Sequence, residues 1–466
     1  MSQILSNFIN TINTLLWSYV IIALLIVAGL YFSLKTKFVQ LRYFKEMFKL
    51  LTEGTGSAKG TSHVSSFQAF CISTASRVGT GNLAGVATAI TIGGPGAVFW
   101  MWVIALIGGA SSFVESTLAQ VYKVKDGENY RGGPAYYMER ALGKRWMGIL
   151  FSILITICFG LVFNSVQANT ISQAFDKAFG IKTYITGLVI SLLTAFIIFG
   201  GVKRIAKTAE AIVPVMAIAY VVVALFIVIK NITLIPHVFE MIFKSAFGIK
   251  QAVGGGIGAA IMMGIKRGLF SNEAGMGSAP NAAATAHTSH PAKQGLIQTL
   301  SVFTDTLLIC SATAFIILTS GEFAKSGLTG IKLTQSALIY HVGGWGGIFI
   351  AVCIFLFAYS SVIGNYYYGE TNIEFINSSK TYLTIYRILV VAMVMWGSIA
   401  SLQIVWDLAD LFMGLMAILN IIAILMLGNV AFKVLKDYES QKQQGLNPKF
   451  KAKNIEGLKN ADCWEE

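Results

Sequence analysis

Two stretches of this sequence decide the fold: residues 71–96, CISTASRVGTGNLAGVATAITIGGPG, and residues 254–280, GGGIGAAIMMGIKRGLFSNEAGMGSAP. Both lie in long apolar regions, but glycines interrupt them, and the second also carries Lys266, Arg267 and Glu273. Non-helical backbone at membrane depth is tolerated only where protein buries it or where it lines a cavity. The two stretches therefore predict broken helices inside a membrane protein.

The composition independently indicates a membrane protein. Of the 466 residues, 55% are hydrophobic and 12% are charged, and the mean hydropathy is +0.67. A soluble domain carries about 25% charged residues. These values argue against soluble enzymes and nucleic-acid binders, although the net charge is +13. The five cysteines are widely spaced and show no disulfide or metal-ligand pattern, and no nucleophile and base pattern indicates an enzyme.

The predicted fold class is an all-α polytopic membrane protein, because a bilayer core needs about 20 apolar residues per helix. About eleven such stretches occur, near 15–34, 64–92, 96–121, 146–169, 183–200, 208–229, 251–275, 295–320, 346–370, 382–400 and 404–429. The first is not expected to be a cleaved signal peptide, since residues 1–14 contain no Lys or Arg.

The distribution of basic residues predicts the orientation. If the N-terminus is outside, 25 of the 35 Lys and Arg residues fall in the inward segments and 7 on the opposite side. Cytoplasmic loops retain such an excess, so we expect the N-terminus outside and the C-terminus inside a prokaryotic plasma membrane. Lys449, Lys451 and Lys453 of the basic tail are suited to contact anionic lipid. His63, His287 and His290 are expected at cytoplasmic edges, in solvent.

The spacing of the two broken stretches predicts two inverted repeats. Each opens a block of five spans, and an odd number of spans forces the blocks into opposite orientations. This pattern is typical of transporters with a substrate site between two discontinuous helices. The predicted divisions are an N-terminal helix with a basic linker (1–63), the first repeat (64–229), an extracellular connection (230–250), the second repeat (251–429) and a basic cytoplasmic tail (430–466).

The first break, Gly79-Thr80-Gly81-Asn82, is a candidate anion site. No strand precedes it, so its glycine spacing does not indicate a dinucleotide site. An unwound helix exposes free N–H groups at the positive end of a dipole, which suits a substrate carboxylate. Close helix packing through small residues is the alternative, and it accounts better for Gly85.

The second break supplies Ser271, Asn272 and Glu273 as acceptors for a substrate ammonium or a cation. An intramembrane carboxylate is costly and is a functional hypothesis by default. The equally weighted alternative is that Glu273 pairs with a basic residue, Lys266, Arg267 or Arg77. Glu115, at mid-depth of its span, is expected to cap loose backbone N–H groups.

Two further polar groups lie within spans. Ser360 and Ser361 stand on one helical face with the Phe357 carbonyl, which suits a small alkali cation. Serines in membrane helices more often bond back to the i−4 carbonyl, so both interpretations stay open. Gln167 belongs to a polar stripe with Asn164 and Asn169 that indicates either a pocket wall or a helix contact.

Several long motifs make the chain similar to the alanine or glycine:cation symporter family. They are GGPGAVFWMWVIALIGG at 93–109, GTGNLAGVATAI at 79–90, GIKRGLFSNEAGMGSAP at 264–280 and YYYGE at 366–370. The resemblance covers residues 15–430. It implies a LeuT-like fold of two inverted five-helix repeats, here preceded by one extra helix, and sodium-coupled import of alanine or glycine by a protein that acts as a monomer.

The resemblance also implies site residues. The substrate carboxylate maps to Gly79, Thr80, Gly81 and Asn82. The sodium site, for Na+ as the co-transported ion, maps to Ala75, Val78, Phe357, Ser360 and Ser361. Alanine-type members carry a Trp within I-L-G-W-x-Y-Y-G-E where this chain has Asn365, which favours a longer, polar substrate such as glutamine. Proton coupling and a channel are the remaining alternatives.

Overall fold

The structure is a computed structural model that describes residues 3–56, 63–200, 202–248, 256–325 and 327–465. Gly254, Gly255 and the predicted start of the second repeat at 251 lie outside the described residues. The described chain is mainly helical and contains one short antiparallel hairpin.

The first half of the chain contains the hairpin formed by β1 (Val124–Asp126) and β2 (Asn129–Arg131). The helices are α1 (Gln3–Leu15), α2 (Ile21–Lys35), α3 (Val39–Arg42), α4 (Phe44–Gly56), α5 (Ser66–Arg77), α6 (Val86–Gly93), α7 (Gly96–Val121), α8 (Pro134–Arg140), α9 (Arg145–Ile155), α10 (Asn164–Phe179), α11 (Thr183–Ile198), α12 (Val202–Lys230) and α13 (Ile235–Ala246).

The second half is helical throughout its regular elements. The helices are α14 (Ile257–Asn272), α15 (Ala279–Thr285), α16 (Pro291–Phe303), α17 (Ser311–Ser320), α18 (Gly330–Val342), α19 (Trp345–Ile376), α20 (Lys380–Ile399) and α21 (Leu402–Gln443). Turns of π type join several helices end to end, at Leu16–Val20, Gly81–Gly85, Thr156–Phe163 and Thr304–Cys310. Such turns are frequent at functional sites.

Eight helices within the described ranges are long and apolar enough to cross a membrane. They are Asn7–Lys35, Gly96–Val121, Arg145–Phe179, Glu210–Lys230, Pro291–Ser320, Trp345–Ile376, Lys380–Ile399 and Leu402–Gln443. Shorter apolar helices cover Gly81–Gly93 and Thr183–Ile198. Each of these ranges overlaps a predicted span.

The two glycine-rich stretches interrupt their helices. The first helix ends at Arg77, and Val78 is extended, with φ −79° and ψ 92°. The second ends at Asn272 and is followed by Glu273, Gly275 and Gly277, all at positive φ. Positive φ is costly for residues with a Cβ, so the glycines permit the non-helical connection between α14 and α15.

Helix α7 packs against both broken helices and therefore positions them. It contacts α14, α15, α16 and α6. Gly264 on α14 faces the Ala97 carbonyl so closely that a Cβ there would overlap with it. The N-terminal helix α2 packs on α7 and α21.

The C-terminal segment returns to one end of the helix bundle, which we call the tail end. Phe450 N donates to Ser289 O at 2.9 Å, and Trp464 Nε1 donates to Gln120 O at 2.8 Å. The hairpin lies at the same end. The prediction that His290 is solvated is wrong, because the returning segment covers it and the side chain is fully buried. The opposite end is called the far end.

Candidate functional site

The two helix breaks meet in one buried layer, and Asp305 links them. Asn82 of the first break donates Nδ2–H to Asp305 Oδ1 at 2.6 Å, and Ser271 of the second donates Oγ–H to Oδ2 at 2.7 Å. Thr306 Oγ1 donates to Oδ2 at 2.9 Å. Since the carboxyl lies in the π-type turn Thr304–Cys310, it reaches both breaks from a third helix.

Sequence analysis left Asp305 without a role, although it carried a signal. It is an intramembrane carboxyl, which is a functional hypothesis by default. The side chain is fully buried, and its three donors are neutral. No basic side chain among the described residues forms an ion pair with it. Arg77 is a buried cation that acts on this carboxyl, but it forms no direct ion pair with it. A buried carboxylate without a directly paired cation is unfavourable, so the layer is suited to receive one.

The N–H groups of the first break are engaged by side-chain oxygens. Thr80 donates both its N–H, at 2.9 Å, and its hydroxyl, at 2.7 Å, to Gln167 Oε1. Gly79 N donates to Asn82 Oδ1 at 2.9 Å. A carboxylate at this position would replace these two amide oxygens. Gln167 therefore stands at the wall of the break.

Gly79 and Gly81 allow neighbouring helices to approach the break. A Cβ on Gly79 would overlap with Ser361 Oγ, and one on Gly81 would lie 3.0 Å from the Phe270 ring. At 3.0 Å the neighbour must move. These two glycines thus allow close packing of the helices, and they also lie at the candidate binding site.

The structure brings the first break together with the serine pair of α19. Ser360 and Ser361 donate to Phe357 O at 2.8 and 3.0 Å, and Ser361 Oγ lies 3.4 Å from Val78 O. Ala75 lies on the last turn of α5 before Val78. The serines thus bond back along their own helix, but hydroxyl oxygens keep lone pairs for a cation.

Glu115 caps the second break. Its carboxylate accepts from Gly275 N at 3.0 Å, Gly277 N at 3.1 Å and Asn420 Nδ2 at 2.8 Å. The break in the helix leaves these N–H groups without helical partners, as at any helix end. A carboxylate from α7 supplies acceptors for two of them and so fixes the broken segment against α21.

Glu273 is held by hydroxyl groups. Ser76 Oγ lies 2.9 Å from Glu273 Oε1, and Ser278 Oγ lies 2.6 Å from Oε2. Ser76 Oγ is also 2.7 Å from Asn365 Oδ1. Within the described residues Glu273 forms no ion pair, and Arg77 donates instead to Gln298 O at 3.2 Å. The alternative of a Glu273 ion pair is therefore not what the structure contains.

Asn272 and Asn365 each retain an unused donor. Asn272 Oδ1 accepts from Ala274 N at 3.0 Å. The amide nitrogens of Asn272 and Asn365 are buried and have no hydrogen-bond partner within the described chain. Buried donors normally have partners, so these two amides are available to a ligand.

Lys266 and Arg267 form a separate cluster toward the far end, with Asp410. Arg267 makes two hydrogen bonds to the Asp410 carboxylate, at 3.0 and 2.9 Å, and Lys266 Nζ lies 3.1 Å from Oδ2. The Arg267 guanidinium stacks on the Trp406 ring at 4.2 Å, and this ring contacts Phe270. The charge cluster and the aromatic rings lie over the breaks on that side.

Comparison with known proteins agrees with this architecture. The sequence model of the sodium:alanine symporter family matches residues 1–452. The chain belongs to that family. As a member it is a sodium-coupled amino-acid symporter, and Na+ is the co-transported ion.

Two relatives from Bacillus subtilis strain 168 match along nearly their whole length. The amino-acid carrier protein AlsT is 61% identical, with 100% of this chain and 99% of the relative covered. The probable sodium/glutamine symporter GlnT is 58% identical, covering 100% and 97%. The two relatives are almost equally similar to this chain, so their names do not identify its substrate.

A solved structure confirms the fold. The transporter MhsT in complex with L-phenylalanine superimposes with a TM-score of 0.55 at 13% identity, covering 79% of this chain and 97% of that one. The predicted LeuT-like fold class is thus confirmed.

Proposed function

We propose that this protein imports a small neutral amino acid, alanine or glycine, together with Na+ by alternating access. The observation that carries the proposal is the Asp305 carboxyl, which joins Asn82 and Ser271 from the two helix breaks. A cation that binds near it would draw both broken helices together. Coupling then arises because the ion and the substrate favour the same conformation.

The substrate carboxylate binds at the first break. The N–H groups of Gly79 and Thr80 and the Thr80 hydroxyl are aimed at amide oxygens that a carboxylate can replace. The ammonium group then faces the acceptors of Ser271, Asn272 and Asp305. Charged hydrogen bonds are roughly twice as strong as neutral ones, which favours this exchange of partners.

Sodium binds between the first break and α19. Oxygen ligands from Ala75, Val78, Phe357, Ser360 and Ser361 supply the hard donors that alkali and alkaline-earth cations prefer. The short approach of Ser361 to Val78 O supports this assignment. An ion there would hold Val78 in its extended conformation and so keep the break open to substrate.

The far end faces the outside, with the C-terminus in the cytoplasm. The basic-residue distribution supports this orientation. In this arrangement the Arg267 and Asp410 pair and the Trp406 ring close the path to the outside. The repeats at 64–229 and 251–429 form one transport unit, and the protein acts as a monomer.

Glutamine is the second candidate substrate. The observation that favours it is the buried Asn365 amide nitrogen, which has no partner in the described chain and can donate to a side-chain carbonyl. Asn365→Trp is then expected to reduce glutamine uptake more than alanine uptake. Equal reduction of both would remove Asn365 as a selectivity residue.

Uptake into proteoliposomes tests the function. Labelled alanine and labelled glutamine are offered with an inward sodium gradient, and potassium replaces sodium in the control. We expect uptake to collapse in potassium. Uptake that survives sodium removal and follows a pH gradient would instead establish proton coupling, and electrodiffusive flux without counterflow would establish a channel.

A further inference from the structure

A polar cavity of about 180 Å³ opens at the tail end of the bundle. Val64, just before α5, and Thr285, the last residue of α15, form one side of it, and Tyr367, Glu370 and Thr371 of α19 form the other. The ends of both broken helices therefore meet at this cavity. A substrate released toward the tail end would pass between them.

The hairpin β1–β2 covers the cavity, and Arg131 connects the hairpin to α19. This guanidinium pairs with Asp126 of the hairpin at 2.6 Å and with Glu374 of α19 at 3.0 Å. The Arg131 side chain is 19% exposed and that of Glu374 is 28% exposed. The pair is thus partly shielded from water, and it joins the hairpin to the helix opposite the two breaks.

The same hairpin is attached to the ends of both broken helices. The Tyr130 ring stacks with those of His63 and His287, and these two imidazoles stack on each other at 5.1 Å. His287 N donates to Val64 O at 2.9 Å, and His63 Nδ1 lies 2.5 Å from Glu128 O. One small element therefore contacts the residues that flank α5 and α15 and also contacts α19.

The glycines that follow β2 fix the hairpin against α15. Gly133 has φ +131°, and a Cβ on it would overlap with Asn281 Oδ1. A Cβ on Gly132 would lie 2.8 Å from Ala284 Cβ. These close approaches pack α15 tightly against the end of the hairpin.

The charged side chains around the cavity have a second effect. The cavity lining includes Asp126, Glu370 and Glu374, while Arg131 and Arg387 are the basic partners. When Arg131 releases Glu374, the carboxylates line the opening and attract a departing sodium ion.

We propose that the hairpin Val124–Arg131 is the inner gate of the transport path, and that Arg131 is the positioning residue that holds it closed. This rests on the proposed function and its orientation. Breaking the Arg131 and Glu374 pair should favour the open gate without touching the substrate layer.

Cysteine accessibility tests the gate. Thr285→Cys is placed in a Cys463→Ser background, because the other four cysteines are buried, and the background protein gives the blank. An impermeant thiol reagent is applied to the tail side of inside-out vesicles. We expect Arg131→Gln and Glu374→Gln each to speed labelling of Thr285→Cys several-fold, and Arg131→Lys to restore slow labelling in part.

The matched control is Arg145→Gln, which breaks the 2.5 Å pair with Glu139 near the same end and should leave labelling unchanged. If Arg131→Gln does not reach the membrane, Glu374→Gln tests the same ion pair. Unchanged labelling in both gate variants, with sodium-dependent uptake intact, overturns the gate and leaves the function standing. Uptake of the parent protein that does not need sodium overturns the function instead.

Discussion

Asp305 illustrates how one side chain can set the charge of a transport site. Its carboxyl is fully buried, and its three hydrogen-bond donors are neutral side chains. Neutral donors stabilise a carboxylate less than a cation does. The side chain therefore favours any state in which a cation occupies the layer.

Removing this charge should weaken cation-coupled transport. Asp305→Asn keeps the size and most of the hydrogen-bonding capacity, but it deletes the negative charge. Because the proposed substrate ammonium faces this carboxyl, we expect the amino-acid concentration for half-maximal uptake to rise by at least about tenfold, equivalent to about 1.4 kcal/mol. Asp176→Asn, on the exposed end of α10, is the matched control. An unchanged amino-acid requirement in Asp305→Asn would show that the carboxyl does not contact the substrate ammonium.

At the scale of elements, α14 and α21 are joined by two cations that share one carboxylate. The side chains of Arg267 and Asp410 are 5% and 4% exposed. Trp17 from the N-terminal helix lies beneath Lys266 and donates Nε1–H to Asp410 O at 3.1 Å. The N-terminal helix therefore supports the Asp410 cluster, which we propose closes the far end.

Deleting the shared carboxylate should destabilise the protein strongly. Asp410→Asn leaves Lys266 and Arg267 buried without a counter-charge, and breaking a buried pair in this way costs about 3–5 kcal/mol. Lys266→Met should cost much less, because Arg267 keeps both bonds to Asp410. Thermal unfolding in detergent measures both variants. Equal losses would contradict the charge argument and indicate simple packing.

The hairpin and its histidines predict a pH dependence. Burial lowers the pKa of His287 below its ordinary value of about 6.5, and Lys123 and His63 nearby lower it further. The open gate binds the proton more readily, so the contribution of His287 to the closed gate is complete above pH 6.5 and is lost as the pH falls below that value. Burial also lowers the pKa of Lys123 from 10.5 to about 7. Its effect has the same sign, but it falls in a separate window between pH 10.5 and about 7. Lys123 and His287 both contact Tyr130.

We therefore expect labelling of Thr285→Cys to speed up as the pH falls below about 6.5, relative to a reference cysteine at the exposed Lys144 that corrects for thiol ionisation. His287→Gln should make this labelling ratio less dependent on pH. A ratio that stays constant with pH in the parent protein would exclude the histidine stack as a pH-sensitive part of the gate.

The sequence predicted where the two helices are interrupted, but it did not predict which side chains contact the interruptions. Glycine spacing and span counting predicted where α5 and α14 end, because both signals are local. The pairing of Asn82 with Asp305 and of Arg267 with Asp410 joins residues more than 140 positions apart. Such contacts depend on which helix faces pack together. An apolar span does not show which of its faces contacts a neighbouring helix and which contacts lipid. Glu115 was the exception, since a carboxylate opposite a broken helix has few other roles.

At the scale of the whole molecule, the two breaks share one layer while the closures lie at opposite ends. The cluster around Asp410 lies toward the far end, and the hairpin covers the tail end. Opening one while the other stays closed is the requirement for alternating access. The antiparallel repeats provide it, since equivalent movements of the two halves act on opposite ends.

The proposed orientation is directly measurable. Lys182→Cys, in the exposed connection between α10 and α11, and Lys144→Cys, just before α9, are introduced separately into the Cys463→Ser background. An impermeant maleimide applied to intact cells should label Lys182→Cys alone, and permeabilised cells should label both. The reverse pattern would place the C-terminus outside and exchange the inner and outer closures.

The returning C-terminal segment has a consequence for handling the protein. Trp464 is packed between Lys123 and Phe450, close to Tyr130 of the hairpin. An affinity tag or fluorescent protein joined directly after Glu466 would be separated from Trp464 by two residues and would disturb its contacts beside the hairpin. A fusion at the N-terminus extends from α1 at the far end and leaves the hairpin free. Transport rates measured on the two fusions should therefore differ, even when both are purified to the same yield.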